Sequence, residues 1–305
     1  MKYEFIRENT GRYPMGVMFE VLGLKSSGYY DWLGRPPSER AKRDAILKEQ
    51  VSSLHKRARG RYGYRPVKSH LQDDGFACGR DRALRLMREL GLEGIQKKSF
   101  KAQCTDSNHN FGYSPNLLAR MGKPTGCDQA WVADTTYLKT DAGWCYLATV
   151  MDLYSRRILG WSVSSHNDSS LVCRALEAAV STRGGQMPAG ICHHSDRGST
   201  YACLQYTRLL QKYQMTPSMS RKGNCYDNAA MESFYGKYKL SSVRGHQFAG
   251  EGEARANAFE YIEVFYNRFR KHSSLGYKNP VQFEAMASEN ETGNQPLQPA
   301  CITNN

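Results

Sequence analysis

The fold of this chain is decided by the stretch WVADTTYL at residues 131–138. It is rich in β-branched and aromatic residues and contains no Gly or Pro, which predicts a buried β-strand. Because strand side chains alternate between the two faces of a sheet, Val132, Asp134, Thr136 and Leu138 should share one face. A carboxylate in such a strand costs several kcal/mol to desolvate unless it is paired or bound to a cation. Asp134 is therefore a candidate metal ligand.

The residues that follow predict a mixed α/β sheet. Two further strands, at residues 144–151 and 157–163, are joined to the first by hairpin turns. Helices and strands then alternate, an order typical of a mixed sheet. We expect these later elements at residues 170–181, 191–194, 201–213, 217–220 and 227–240, and we expect strand 131–138 at the centre of the sheet.

Two more acids are placed where they can join Asp134. Asp196 follows the fourth predicted strand, at the carboxyl end where α/β sheets carry functional loops. Glu232 lies on the helix predicted at 227–240, which leaves 35 residues between positions 196 and 232. Each acid alone has an ordinary explanation, as a capped buried acid, a turn former or a surface helix acid. The helical period places on the Glu232 face Asn228, Tyr235, Gly236 and Lys239.

Carboxylates that converge from separate elements suit divalent cations. Mg²⁺ prefers hard oxygen ligands, and two ions about 3.5–4 Å apart can activate an attacking oxygen and steady the leaving oxygen of a phosphoryl transfer. Attack by water cleaves a strand, whereas attack by a DNA 3′-OH joins two strands. Lys239 is placed to neutralise a phosphate beside the metals. His193 and His194 lack the ligand spacing of a zinc site, and we expect His194 to line the site near Asp196, with Tyr235 in support.

The charge distribution points to a polyanion. The net charge is +13. Residues 1–130 contain 24 Lys+Arg against 14 Asp+Glu, a net of +10, and the remainder contains 18 against 15, a net of +3. A basic front end is typical of nucleic-acid binding, although a merely soluble basic surface is the alternative.

Several classes are disfavoured by composition. The nine cysteines are scattered and include no C-x-x-C pair, which argues against a disulfide framework and a structural zinc site. No apolar run approaches the roughly 18 residues of a membrane span, and the start of the chain lacks the apolar segment of a signal peptide. We therefore expect a cytoplasmic protein.

The front end predicts two small helical units. Residues 13–33 form a helix–turn–helix pattern with Gly23 in the turn, which suits DNA binding but also occurs as a plain packing unit. Ser38 should then cap a long helix through about Arg59, followed by helices near 67–72 and 79–90. In the last of these we expect an inward face of Ala83, Leu84, Met87 and Leu90, with the arginines outward.

Basic residues cluster in this second unit. From position 51 to position 72 there is no acid, and Tyr62 and Tyr64 alternate with glycines. Such a loop suits a phosphate backbone, although the aromatics have packing between helices as an alternative role and the arginines a solvated face. We predict DNA contacts for Arg57, Arg59, Arg61, Arg65, Lys68, Arg82 and Arg85 in this unit, and for Arg197, Lys222, Asn228 and Lys239 beside the acids.

Three segments resemble one known family: WVADTTYL at 131–138, HHSDRGSTY at 193–201, and SRKGNCYDNAAME at 220–232. They are similar to the DDE transposases of the IS-three family of bacterial insertion sequences, specifically the second-frame product, OrfB, which carries a retroviral-integrase-like core. The 35-residue interval and a Lys seven positions after the Glu are marks of that family. The segments 266–280, 28–32 and 62–65 also resemble it, so the resemblance covers nearly the whole chain.

The resemblance implies an RNase H-like core in which Asp134, Asp196 and Glu232 bind two Mg²⁺ or Mn²⁺ ions. It implies nicking at the element's ends and attack of the freed 3′-OH on DNA through a circular copied intermediate, without a covalent protein–DNA link. The implied partners are double-stranded DNA, both the terminal inverted repeats and the target, and further copies of the chain. The implied location is the cytosol, in association with the nucleoid.

Family members usually work as a fusion with an upstream frame that carries a helix–turn–helix and a leucine zipper. This chain shows no heptad zipper at its start. We therefore expect either a partial product or a member that recognises ends through residues 10–92. The competing functions are a simple RNase H-like nuclease and a transposase-derived DNA-binding protein, and the intact set of three acids counts against the second.

These observations predict five parts of the chain. Residues 1–35 are the helix–turn–helix segment and 36–96 the basic tri-helical domain. Residues 97–126 are a polar linker, 127–286 are the catalytic core with a helical extension, and 287–305 are a flexible tail.

Overall fold

A computed structural model of the chain describes residues 2–95, 114–220 and 228–293. Five strands form one mixed sheet in the order β3-β2-β1-β4-β5. Their bounds are Ala130–Thr140 for β1, Gly143–Asp152 for β2, Ile158–Ser164 for β3, Cys192–Ser195 for β4 and Thr216–Met219 for β5. The predicted fold class is confirmed, and so is the central position of the strand that carries Asp134.

The pairing of β1 differs along its two edges. It runs antiparallel to β2 over its full length, with Trp131 opposite Asp152 and Thr140 opposite Gly143. It runs parallel to β4 only from Ala130 to Val132. The pairing with β4 thus stops two residues before Asp134.

Helices pack on both faces of the sheet. The first six are α1 Lys2–Glu8, α2 Met15–Leu22, α3 Ser26–Gly34, α4 Glu39–Arg57, α5 Tyr64–Asp73 and α6 Arg80–Glu89. They are followed by α7 Leu118–Met121, α8 Ser169–Thr182, α9 Ser199–Ala202, α10 Leu204–Lys212, α11 Ala229–Tyr238, α12 Glu251–Phe259 and α13 Pro280–Gly293. Helices α11 and α12 continue as π-helical segments, Lys239–Val243 and Glu260–Tyr266, and a 3₁₀ turn covers Ser273–Leu275. Across the three described ranges, no helix has both the length and the apolar character needed to span a membrane.

The predicted alternation of β1 is observed. Val132 and Leu138 face the core that contains Phe234 of α11. Trp131 and Ala133 face the opposite core, which is built on helix α8.

Two helices have side-chain caps. The predicted cap of α4 is present, since the Ser38 hydroxyl accepts a hydrogen bond from Ala41 N at 3.2 Å. The Asp168 carboxylate caps α8 and accepts a hydrogen bond from Leu171 N at 2.9 Å.

The first three helices have a small core of their own. Ile6, Met18 and Tyr29 are buried at its centre. The two helices predicted within 13–33 are α2 and α3, and Gly23 ends α2 in the left-handed conformation, with φ of 63°. Helix α1 packs against them and was not predicted.

Helices α4–α6 share an apolar core with the C-terminal helices rather than forming a separate one. The Tyr62 ring stacks on Phe269 at a centroid distance of 5.6 Å, and its hydroxyl donates a hydrogen bond to the Phe269 carbonyl at 2.9 Å. The centroid of the His70 ring lies 4.9 Å from that of the Phe269 ring. Lys271 donates to Ser69 and pairs with Asp73 of α5. We call this contact between α4–α6 and residues 260–271 the joint.

Two predicted helices differ in detail. The helix expected at 201–213 is divided, because Cys203 is extended and begins α10. In α6 the buried residues are Ala83, Leu86 and Met87, so Leu86 takes the inward position we expected for Leu84. Positions 83, 86 and 87 lie on one face of a 3.6-residue helix, whereas a residue adjacent to Ala83 points about 100° away.

The predicted linker and tail are partly structured. Of the linker at 97–126, residues up to 113 lie outside the described part of the chain. Beyond it, the backbone N–H of Leu117 donates to Ser218 Oγ of β5 at 2.9 Å, and Leu118 is buried. Helix α13 continues to Gly293, so the predicted start of a flexible tail at 287 falls within a helix.

Replacing Gly160 with alanine should destabilise the sheet. A Cβ at this β3 position would lie 2.2 Å from both Ala175 O and Ala179 N of α8. Because backbone cannot move aside as a side chain can, we expect a loss of about 3 kcal/mol, the upper end of the range for overpacking. The measurement is the free energy of unfolding in urea. Gly252→Ala is the control, since nothing lies within 4 Å of its Cβ, and an unchanged stability of Gly160→Ala would contradict the close contact.

Candidate active site

Asp134 and Asp196 are brought level by the pairing of β1 with β4. Val132 is paired with His194, and two residues further along each parallel strand come the two acids. A step of two keeps a side chain on the same face, so both carboxylates emerge on the face covered by α11. Asp196 lies just past the last residue of β4, where the strands are no longer hydrogen-bonded.

The loop after β4 holds Asp196 in a turn. The Gly198 N–H donates to Asp196 Oδ1 at 2.9 Å. A Cβ on Gly198 would lie 2.9 Å from the same oxygen, so any other residue here would displace the Asp196 carboxylate. The neighbouring Arg197 is half-buried, and its Nε donates to the Ser220 carbonyl at 2.8 Å. This bond ties the loop to the end of β5.

Helix α11 is anchored to the sheet by Tyr235. Its hydroxyl donates to the Asp134 carbonyl at 2.6 Å and lies 2.8 Å from Thr149 Oγ1. Tyr235 is buried, whereas Glu232, one turn earlier, is exposed. The anchor therefore sets where Glu232 stands relative to Asp134, and the expected support by Tyr235 takes this form.

The electrostatics join the three acids. Burial, and then the negative charges of Asp196 and Glu232, raise the pKa of Asp134 to about 8. Hydrogen bonds from Thr135 N, at 2.8 Å, and from the Asn228 amide oppose the rise. The Asp134 side chain is only partly accessible. When two neighbouring acids oppose the ionisation of a carboxyl group, the site has too little positive charge to compensate its acids.

Lys239 lies close to the acids. Its Nζ is 4.3 Å from the centroid of the Tyr137 ring. Burial lowers the pKa of Lys239, while the charge of Asp134 acts in the opposite direction. The lysine predicted on the Glu232 face is thus near enough to Asp134 for their charges to interact. Lys222, also predicted here, lies outside the described residues.

A second cluster shows why proximity alone does not make a metal site. Within the described ranges, the group whose ligand atoms all lie within 4.8 Å of one another is Cys127, Asp152 and Glu284. Its charges are already balanced, because the Glu284 carboxylate accepts hydrogen bonds from Arg157 at 2.6 Å and from Arg183 at 2.7 Å. These bonds fasten α13 to the sheet and leave no demand for a cation.

Family models match along the chain. An integrase core domain model matches residues 124–225, a second integrase core domain model matches 213–280, and an HTH-like domain model matches 42–100. A 31 kDa protein of insertion element IS600 from Shigella sonnei is 44% identical over 266 residues, which is 87% of this chain and 97% of the relative. The transposase InsF of insertion sequence IS3A from Escherichia coli (strain K12) is 35% identical over 286 residues, 93% of this chain and 98% of the relative.

The chain belongs to the IS-three family of transposases. It is thus an enzyme with an integrase core of the polynucleotidyl-transferase type. Among solved structures, the HTLV-2 integrase catalytic core in complex with magnesium is 16% identical, with a TM-score of 0.38 over 52% of this chain and 98% of that one. The intasome of simian T-cell lymphotropic virus gives 13% identity and a TM-score of 0.42 over 84% and 78%.

In this transposase four predicted DNA contacts of the front end form ion pairs within the protein. Arg61 has a side chain only 5% exposed and pairs with Glu260 at 3.0 Å. The exposed Arg59 pairs with the same carboxylate at 3.2 Å. Two further arginines, Arg82 and Arg85, both pair with Asp44 at 2.7 Å. They hold α6 against α4 and lower the pKa of Asp44.

The other predicted front-end contacts lie nearer the surface. Arg57 is exposed, with its guanidinium 5.0 Å from the Phe269 ring centroid. Arg65 is exposed and donates to the Tyr64 hydroxyl at 3.1 Å. Lys68 is half-buried on α5. Of the front-end set these three, with Arg59, are placed where a DNA backbone can reach them.

The contacts of His194 and Tyr201 were not predicted from the sequence. His194 is fully buried, and its Nδ1 lies 2.9 Å from Ser218 Oγ, so it joins β4 to β5. The Tyr201 hydroxyl lies 3.0 Å from Thr135 Oγ1, next to Asp134, and was given no role from sequence. Its position in the family-like segment 193–201 was the available signal. Thr149 had none, because its role depends on strand pairing.

Tyr235→Phe should weaken the fold by about 1–3 kcal/mol, the range for leaving buried polar groups unsatisfied. The substitution leaves the Asp134 carbonyl and the Thr149 hydroxyl without this partner. We expect Tyr235→Phe combined with Thr149→Val to cost less than the sum of the single changes, by about 1 kcal/mol. Unfolding in urea measures all three variants. Tyr30→Phe, at a residue 56% exposed, should be neutral, and strict additivity would contradict the coupling.

Proposed function

We propose that this transposase cuts DNA at the ends of its element and joins the freed 3′-OH to a second DNA, using Asp134, Asp196 and Glu232 as ligands for two Mg²⁺ or Mn²⁺ ions. The observation that carries the proposal is the raised pKa of Asp134, which results from burial and from the other two acids. Three like charges brought together from a strand, a loop and a helix are unfavourable unless a cation joins them.

The donor set fits divalent metal ions. Carboxylate oxygens are the hard ligands that Mg²⁺ and Mn²⁺ prefer. Among the described residues beside Asp134, Lys239 is one cation against three acids, which leaves negative charge to be compensated. Bound metal ions would supply Lewis-acid activation and neutralise the charge that develops on the phosphate.

The protein's own residues hold and orient the site. The Thr135 N–H and the Asn228 amide fix the Asp134 carboxylate. Tyr235 fixes the helix of Glu232, and Gly198 fixes the turn of Asp196. Lys239 offers a positive charge to a phosphate beside Asp134. Strand transfer forms one P–O bond and breaks another, so no further energy source is required.

The same proposal assigns the partners. The exposed cations Arg57, Arg59 and Arg65, with the half-buried Lys68, would contact double-stranded DNA of the terminal inverted repeats. Two ends have to be held together for joining, so we propose a homo-multimer on DNA. The family resemblance also implies an additional partner, an upstream-frame product with a zipper. The nucleoid of the cytoplasm is the corresponding location.

Removing either of two acids should abolish joining. We expect Asp134→Asn and Glu232→Gln to reduce strand transfer by on the order of 1,000-fold or more. Each substitution removes a ligand of the metal ions that would stabilise the charge on the reacting phosphate. The assay follows a labelled terminal inverted repeat with Mg²⁺ on a gel. Glu177→Gln, at an exposed acid of α8, is the matched control.

The product pattern separates the alternatives. Cut but unjoined strands from the unaltered protein would identify a simple nuclease. Binding without any cut product would identify a DNA-binding protein derived from a transposase. If Asp134→Asn joined strands as well as the unaltered protein, the assignment of the acids would be wrong.

Metal affinity should rise with pH. Because the metal-free pKa of Asp134 is about 8, binding below that pH has to displace a proton, and apparent affinity should fall roughly tenfold for each pH unit. The metal-free protein should also lose stability as pH rises from about 4 towards 8. The raised pKa of Asp134 means that the folded state favours the neutral carboxyl group, which is lost by ionisation over this range. Thermal unfolding with graded Mn²⁺ at pH 6, 7 and 8 measures both effects. Asp134→Asn should flatten the pH dependence, and an equal Mn²⁺ shift at pH 6 and 8 would contradict it.

A further inference from the structure

A cavity of about 240 Å³ lies at the joint. One wall comes from the loop and helix that follow α4, with Arg61, Tyr62 and Pro66. The other comes from α11, its π-helical continuation and the C-terminal segment, with Lys237, Ser241 and Arg270. Since about 10–15 Å³ of such space is enough for one water, the cavity has room for a phosphate group and several waters.

The cavity is lined by positive charge. Four cations contribute to its walls, namely Arg61, Lys237, Arg270 and Lys271, and no Asp or Glu is among its described lining residues. Arg61 and Lys271 have acidic partners, Glu260 and Asp73. Arg270 forms no ion pair with a carboxylate of the described ranges. The balance inside the cavity is therefore positive and suits an anion.

Arg61 also leaves a donor unused. Its side chain is 5% exposed, and its terminal nitrogens donate to Glu260 and to Ser242 Oγ at 2.9 Å. Its Nε is buried and has no hydrogen-bond partner in the described structure. The guanidinium is held in place, 4.5 Å from the Phe265 ring centroid. A fixed, buried N–H without an acceptor costs about 1–3 kcal/mol, and this guanidinium keeps its positive charge in the cavity wall.

We propose that this cavity binds a phosphodiester group of the DNA that the transposase holds. The inference rests on the proposed function, because DNA is the polyanion that the protein would carry beside these residues. Arginine forks match phosphate oxygens in geometry as well as charge. Phosphate contacts position a protein on DNA without reading its sequence, so the cavity sets where the DNA lies.

The cavity lies between two parts of the protein that a bound phosphate would connect. Lys237 lies on α11, the helix that carries Glu232, and Ser241 lies on its π-helical continuation. Arg61 and Tyr62 belong to the tri-helical side. A phosphate held by both walls ties the DNA-binding unit to the helix of the third acid. DNA bound at the joint therefore fixes the position of that helix.

The test measures the salt dependence of DNA binding by the full chain. Fluorescence anisotropy with a labelled duplex of the terminal inverted repeat gives the slope of log affinity against log salt concentration. Arg270→Gln should reduce that slope by about one and weaken binding several-fold near physiological salt, as expected for one lost phosphate contact. Arg208→Gln removes the same charge from an exposed position on α10 and should leave the slope unchanged. Lys237→Gln removes a second cation from the same wall and serves as the test if Arg270→Gln fails to fold.

The outcomes distinguish this inference from the proposed function. If the unaltered protein showed no salt-dependent DNA binding, the proposed function itself would fail. If it bound DNA with a steep slope that Arg270→Gln and Lys237→Gln left unchanged, the cavity would not hold DNA. Thermal unfolding with inorganic phosphate is the second arm. Stabilisation that is lost in Arg270→Gln while the DNA slope stays the same would identify a site for a free anion and overturn the assignment to DNA.

Discussion

The negative charges of Asp134, Asp196 and Glu232 act on one another, and much of this structure holds these three acids in place. The repulsion is visible in the pKa of Asp134, raised to about 8 by burial and then by its two neighbours. A flexible scaffold would relieve it by moving the acids apart. Here the central strand, a glycine turn and the Tyr235 anchor each hold one acid from a separate direction. Rigidity is thus the condition for the negative site.

Helix α11 connects this site to the rest of the molecule. Its Tyr235 reaches the carbonyl of Asp134, while Lys237 and the residues after the helix line the cavity at the joint. The same helix therefore contacts the sheet through Tyr235 and lines the joint through Lys237. The element that carries Glu232 is thus one of the links between the sheet and the tri-helical unit.

Much of the fold and the site was predictable because the signals are local. Alternation in one strand gives the face of Asp134, and helical spacing gives the side of α11 that carries Lys239. The central position of the acid-bearing strand was also predicted and is observed. These inferences needed only the backbone period and the residue types.

The remaining features depend on partners far away in sequence. The window from 51 to 72 contains no acid, which made its cations look free, yet Arg61 pairs with Glu260 at a separation of 199 residues. Arg82 and Arg85 likewise share Asp44, 38 and 41 residues away. A local count of charge cannot anticipate such pairs. Tyr62 was read as a DNA-contacting or packing aromatic, and only the tertiary structure shows that it stacks on Phe269.

The joint also has a consequence for how the protein is made. Tyr62 and the Phe269 carbonyl that its hydroxyl binds are 207 residues apart. At about 5–20 residues per second, translation separates them by roughly 10–40 s. During that interval α4–α6 have left the ribosome without the segment that completes their apolar core. The nascent chain therefore exposes these basic helices and an unfinished hydrophobic surface together, before Asp134, Asp196 and Glu232 have all been synthesised.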